Sequence, residues 1–282
     1  MQSSADRLRW PRLQVIGAVG CLLPVLAAAG LAATEPLSDA EKEEFLLRAR
    51  IVSRQTLPVG VTASERATLS DDRLTHDAHI QDVDKSHRKL RTQKRTYINL
   101  RDSYDFNIAA YRLDRLLGLN MVPVSVERTI SGERAAVTWW VDDVLMMAAD
   151  RLSGGVEPPD LARWNDQMHQ ARVFNQLIYN TDANLGNFLI TTDWQLWMID
   201  FTRSFRTYQQ LPEPELIERI DRRFYRGLRA LDRKILRGET RGYLTGPEVS
   251  AVIARRGKLL DLIEARIAKQ GEAAVICDLA GH

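Results

Sequence analysis

The chain has 282 residues, 45% of them hydrophobic, and a formal charge of only +2 at neutral pH. That is enough for one large domain or two small lobes around a real core, and the balanced charge gives no case for nucleic acid as the main partner. Two cysteines, Cys21 and Cys277, make neither a disulfide framework nor a metal-ligand spacing, and His76 and His79 have no third ligand nearby in sequence.

Arg7, Arg9 and Arg12 precede an apolar run from Leu13 to Ala33, which becomes rich in small residues before Thr34-Glu35-Pro36. A basic start, an apolar middle and small residues at the end are the features of a secretory signal, with cleavage after Ala29 or Ala33. Left uncut, the run could span a bilayer, for which about twenty residues suffice. In either case the basic flank stays inside, and the acidic flank of Glu35, Asp39, Glu41, Glu43 and Glu44 goes out. The expected location is periplasmic or secreted, or else an inner-membrane anchor facing the periplasm. The membrane is a partner only through this segment, if it remains uncleaved.

Ser38-Asp39-Ala40-Glu41 is a capping box that opens a helix expected over 39–53, with Phe45, Leu46 and Ala49 inward. Residues 58–62 and 66–69 read as strands around a polar turn, 71–73 as a second turn, and 76–83 as a third strand with Ala78 and Ile80 on one face. Gly60 is either a turn residue or a point of close backbone approach. The basic stretch 84–95 (Lys85, Arg88, Lys89, Arg91, Lys94, Arg95) reads as a solvated loop, or as a contact for an anion or acidic substrate.

Residues 103–117 form an amphipathic helix through Phe106, Ala109, Ala110, Leu113, Leu116 and Leu117, stopped by Gly118. Strands follow at 122–127 and 135–141. Asp160 caps a helix on which Leu161, Trp164, Met168, Ala171, Phe174, Leu177 and Ile178 keep helical spacing. Strands at 188–190 and 196–199 turn through Thr192-Asp193. The region 212–237 is expected to be mostly helical, and 244–269 forms a last helical region.

The stretch that carries chemistry is Tyr179-Asn-Thr-Asp182-Ala-Asn-Leu-Gly-Asn187, with Asp200-Phe201 at the end of the second strand. In phosphoryl transfer one Asp orients the acceptor hydroxyl, while an Asn and a second Asp hold the metal that neutralises the phosphate oxygens. Asp182 is the candidate for the first role, and Asn187 and Asp200 for the second. Asn184 is a turn residue or a second polar contact.

This pattern resembles the catalytic core of the atypical protein-kinase-like superfamily: the HipA-type, phosphatidylinositol-kinase-like and secretory-pathway kinases. The helix Asn107-Ile-Ala-Ala-Tyr-Arg-Leu-Asp-Arg-Leu-Leu-Gly, with Val-Pro just after, resembles a helix of the same enzymes. The resemblance implies an α+β, two-lobed fold, with a small antiparallel β lobe and a mainly helical large lobe. It divides the chain into a signal or anchor (1–33), an N-terminal helix and linker (34–57), a small lobe (58–143) and a large lobe (144–282). It also implies ATP or another nucleotide with Mg2+ or Mn2+, and an interlobe hinge at Trp139-Trp140-Val141-Asp142 whose backbone receives the base.

The sequence departs from the family in four places. Asn180-Thr181 replaces His-Arg before the catalytic loop, and Thr202 replaces the Gly after Asp-Phe. Gln81 stands where a strand Lys normally holds the phosphates, and Asn107 where a helix Glu fixes that Lys. These two could still bond as an amide pair, and Lys85 could reach the phosphates instead. The nucleotide-contacting set is therefore Gly60, Gln81, Lys85, Asn107 and Val141. The expected activity is phosphoryl transfer to a protein or small-molecule hydroxyl. The alternatives are a pseudokinase-type binding module of the envelope and an all-helical structural protein.

Overall fold

A computed structural model describes residues 36–57, 64–91 and 96–279. The N-terminal apolar run and the strand expected at 58–62, Gly60 included, lie outside the described residues. Among the described residues no helix is long and apolar enough to cross a membrane.

Helix α1 (Asp39–Arg48) starts on its capping box: Ser38 N donates to Glu41 Oε2 at 2.8 Å, and Glu41 N donates to Ser38 Oγ at 3.3 Å. It ends five residues before the expected boundary. Ala49 turns extended, and β1 (Arg50–Thr56) pairs antiparallel with β2 (Glu65–Ser70) from Arg50↔Ser70 to Thr56↔Glu65. Ile51 and Val52 are β-branched, and pairing with a waiting strand outweighs their helical continuation. β2 pairs with β3 (Thr75–Gln81), through the expected turn at Asp71.

The basic stretch is not a loop. β4 (Asp84–Arg91) pairs with β5 (Thr96–Ser103) as a two-stranded ribbon. Charge density does not prevent a strand whose backbone groups are satisfied by its partner. Helix α2 (Asp105–Leu117) follows, then β6 (Ser125–Ile130) and β7 (Glu133–Trp139). A five-stranded antiparallel sheet results, in the order β1-β2-β3-β7-β6. Ala67, Leu69, Ala78, Ile80, Val126 and Val137 share a core with Phe106, Ala109, Ala110, Leu113 and Leu117 of α2. Each large apolar side chain buried there contributes about 1.5–3 kcal/mol. Gly118 closes α2 at φ +66°, and a Cβ there would stand 2.7 Å from Arg223 Cδ. Backbone conformation and space both require glycine.

Residues 140–143 join this sheet to a second one. There β8 (Val144–Met147) pairs with β9 (Phe188–Thr191), which pairs with β10 (Leu196–Met198). Between β8 and β9 lie α3 (Ala148–Ser153) and α4 (Leu161–Ile178), the latter capped by Asp160, which accepts from Arg163 N at 2.9 Å. The region 212–237 is mostly helical, as expected, with its α-helix confined to the second half. Prolines keep the first half to a short turn at Pro214–Leu216, before β11 (Ile220–Asp221), α5 (Arg222–Ala230) and α6 (Arg233–Glu239). Then come α7 (Gly246–Gln270), α8 (Glu272–Val275) and β12 (Ile276–Cys277), which runs parallel to β11. The strands exclude the all-helical alternative. The fold is a small antiparallel lobe and a mainly helical lobe.

One buried cation braces the large lobe. Arg255 of α7, with no exposed surface, donates to Leu177 O at 2.6 Å, to Arg206 O at 2.8 Å and to Tyr208 O. Burial pulls its guanidinium down to about 9. These bonds tie the end of α4 to the segment that follows Phe201.

Candidate active site

The loop after α4 is built by short polar side chains that do the work of backbone. Tyr179 ends the helix in the left-handed region, at φ +49°. Asn180 then donates to Asn175 Oδ1 and accepts from Asp182 N, both at 2.9 Å. Asn184 Oδ1 accepts from Gly186 N at 2.9 Å and starts a 3-10 turn over Leu185–Asn187. Asn184 is thus a turn residue, and its Nδ2 also donates to Asp182 Oδ1 at 3.1 Å. Asn187 Nδ2 donates to Asp182 O at 3.0 Å. That bond orients the amide, leaving Oδ1 as its remaining polar atom.

The hairpin carries the other half of the site back to this loop. Ile199 N donates to Asn187 O at 3.0 Å, so the residue before Asp200 is bonded to the Asn of the loop. Asp200 sits at φ +57°, a conformation that a non-glycine residue holds only where its surroundings impose it. Thr202 donates to Asp200 Oδ1 through Oγ1 at 3.1 Å and through N at 3.4 Å. Thr202 therefore acts as a clamp on this carboxylate.

Burial pushes the Asp200 carboxyl above the ordinary range. The Thr202 bonds pull it down, and the charges of Asp182 and Asp102 push it up again. Like charges gathered in a partly dry place form a cation site by their chemistry. The structure supplies one cation itself. Arg203 donates from Nε to Asp102 Oδ2 at 3.0 Å and from Nη1 to Asp182 Oδ2 at 3.1 Å. Burial alone would lower the Arg203 pKa, but Asp102, Asp182 and Asp200 together raise it. Neither Asp102 nor Arg203 stands out in the sequence. Asp102 comes from β5, eighty residues before the loop it serves, and the signal for Arg203 was only its place just beyond Asp200-Phe201.

On the small-lobe side Asn107 Nδ2 donates to Gln81 Oε1 at 2.7 Å, and both residues are buried. The amide pair expected from the sequence is formed. Asn107 also does something no motif indicates: its Oδ1 accepts from Phe201 N at 2.8 Å. One amide thus links β3, α2 and the residue after Asp200. Ser103 N donates to Thr202 O at 3.0 Å beside it, and Phe201 packs edge-on against Phe174 of α4, with ring centroids 6.0 Å apart.

The remaining nucleotide candidates lie as follows. Val141 is buried between β7 and β8, at the junction of the two sheets. Lys85 is exposed on β4, directly opposite Asp102, so the two side chains leave the ribbon on the same face. His76 is engaged with Asp142 at 2.8 Å and stacked on Trp139.

The donors fit a hard divalent cation. Oxygen atoms of Asp200 and Asn187 suit Mg2+ or Mn2+, which take one or two protein groups and complete their shell with water and phosphate oxygens. Among the described residues no group of three or more His, Cys, Asp and Glu side chains is arranged to hold a metal, so such an ion would rest on Asp200 and Asn187 with water and phosphate oxygens.

No family model and no curated protein matches the sequence. Solved structures do. The chain is similar to hydra Fam20 with sugar, at 16% identity over 86% of this chain and 93% of that one, with a TM-score of 0.66. It is similar to the Golgi casein kinase with Mn and ADP bound, at 13% identity over 84% of this chain and 78% of that one, with a TM-score of 0.56. It is also similar to CtkA, a proinflammatory kinase of Helicobacter pylori, at 9% identity over 79% of this chain and 97% of that one, with a TM-score of 0.50. At these identities the likeness is one of fold.

Proposed function

Because the chain has the two-lobed fold of the atypical protein-kinase-like superfamily, we propose that it transfers a phosphoryl group from a nucleotide to a hydroxyl acceptor, with a divalent metal. What supports this reading is that Asn187 Nδ2 bonds Asp182 O, Ile199 N next to Asp200 bonds Asn187 O, and the Asp182 charge helps raise the Asp200 carboxyl. Asp182 receives the acceptor's proton as the new O–P bond forms and the bond to the nucleoside diphosphate breaks. Asn187 and Asp200 hold Mg2+ or Mn2+, which neutralises phosphate charge when bound. Gln81 and Asn107 keep the Asp200–Phe201 segment in place, and Val141 lies where the base enters. The basic-then-apolar start of the chain supports a reaction outside the cytoplasmic membrane. The acceptor is a protein or small-molecule hydroxyl.

A second reading is a kinase-shaped binding module without turnover. One observation favours it: the Gln81–Asn107 pair is neutral, and a charge-assisted contact to phosphate is about twice as strong as a neutral one. Thermal unfolding with ATP, GTP and ADP, with and without Mn2+, separates the two. The enzyme reading predicts a rise of several degrees that needs both nucleotide and metal, and that Asp200→Ala abolishes. No shift with any nucleotide supports the module.

A further inference from the structure

A site that grips phosphates without a strand lysine needs its positive charge from elsewhere. Arg203 is the cation that reaches into the carboxylate cluster, three residues beyond Asp200. Its Nε is fixed on Asp102 and its Nη1 on Asp182, at 3.0 and 3.1 Å. The two anchors differ. The Asp102 side chain is 9% exposed and stays in place as part of β5, whereas the Asp182 side chain is 37% exposed. Asp102 Oδ1 is buried with no hydrogen-bond partner among the described residues. A buried carboxylate with one oxygen unsatisfied is costly unless a cation stays beside it. Arg203 can let go of Asp182 far more cheaply than of Asp102.

We propose that Arg203, held by Asp102, is the phosphate-contacting cation of this site, replacing the Lys–Glu pair that Gln81 and Asn107 have lost. This rests on the reading of the cleft as a nucleotide site. A guanidinium has five N–H donors in a planar fork, and the two bonds to carboxylates leave others for a phosphate oxygen. When the phosphates arrive, Arg203 keeps Asp102 and exchanges Asp182 for a phosphate oxygen. Asp182 Oδ2 is then released to accept the acceptor's hydroxyl. In the absence of nucleotide the same bond holds Asp182 occupied, so the base becomes available only when a donor is bound.

The test is calorimetric binding of ADP and of adenosine to the full chain in Mn2+, for the wild type, Arg203→Met, Arg203→Lys and Asp102→Asn. Adenosine lacks phosphates and reports the base pocket alone. The wild type is expected to prefer ADP. Arg203→Met should weaken ADP roughly 10- to 100-fold and leave adenosine unchanged, with Arg203→Lys recovering part of the loss. Asp102→Asn keeps the side-chain volume, should weaken ADP less, and covers the case in which Arg203→Met does not fold. If the wild type prefers ADP and Arg203→Met and Asp102→Asn bind it equally well, the assignment of Arg203 is wrong and the site reading stands. If the wild type binds neither ligand, both fall together.

Discussion

The two halves of the site were built under different rules. The half contributed by the loop and hairpin from Asp182 to Asp200 carries the carboxylates and amide of the proposed site, and it is assembled locally. Its bonds run between residues a few positions apart or across one short hairpin. The half contributed by the small lobe is held by a neutral contact, the Gln81–Asn107 amide pair, between a strand and a helix distant in sequence. Chemistry at the metal tolerates little change of donor, because oxygen type and charge set the affinity. Support for the segment after Asp200 tolerates more, because an amide satisfies a backbone N–H as well as a carboxylate does. The neutral pair thus supports architecture, while the positive charge beside the carboxylates is that of Arg203, bonded to Asp102 and Asp182.

The largest expected effect is on the chemical side of this contrast. Asp182→Asn should lower turnover by about 10^2- to 10^4-fold, as loss of a general base does, while nucleotide affinity changes little. A steady-state assay and a binding titration on the same variant check this. Comparable losses in both would make Asp182 a binding group.

On the architectural side, Asn107→Ala removes one amide, orphans the buried Phe201 N and takes one bond from the buried Gln81 Oε1. A destabilisation of about 2–4 kcal/mol is expected in urea unfolding. Reinstating the charges together, Gln81→Lys with Asn107→Glu, should cost less than the two single changes summed, with a coupling of about 1–3 kcal/mol. Strict additivity would mean that the pair does not act as a unit.

A smaller effect follows from the Asp200 carboxyl, raised by burial and by its acidic neighbours. A carboxylate whose folded pKa exceeds its unfolded one is more protonated in the folded state. In the metal-free protein its contribution is therefore fully present at low pH and is lost as pH rises through the folded value. Asp200→Asn should remove that part of the slope, and melting curves across a pH series, without metal, would read it. An unchanged slope would contradict the carboxylate cluster.

Ser38→Ala marks the lower end. It removes the α1 capping box, far from the cleft in sequence, and should cost about 1 kcal/mol while leaving nucleotide binding untouched.

These contrasts also explain what could be read from the sequence. The Asp182 loop and the β9-β10 hairpin were legible because short-range rules govern them: an Asp-to-Asn spacing, two short apolar runs, and a turn at Thr192-Asp193. The capping box at Ser38 and the glycine stop at Gly118 were legible for the same reason. The ribbon over Asp84–Arg91 was not, since its strand character comes from β5 rather than from its own composition. The early end of α1 has the same origin, in pairing with β2. Asp102 and the second bond of Asn107 were invisible because each joins residues nearly a hundred positions or more apart. No local pattern encodes such a contact.

Electron paramagnetic resonance of Mn2+ titrated into the full chain with ADP would test the central claim most directly. The account predicts a bound Mn2+ signal in the wild type that is lost in both Asn187→Ala and Asp200→Ala. Bound Mn2+ undiminished by either substitution would contradict it.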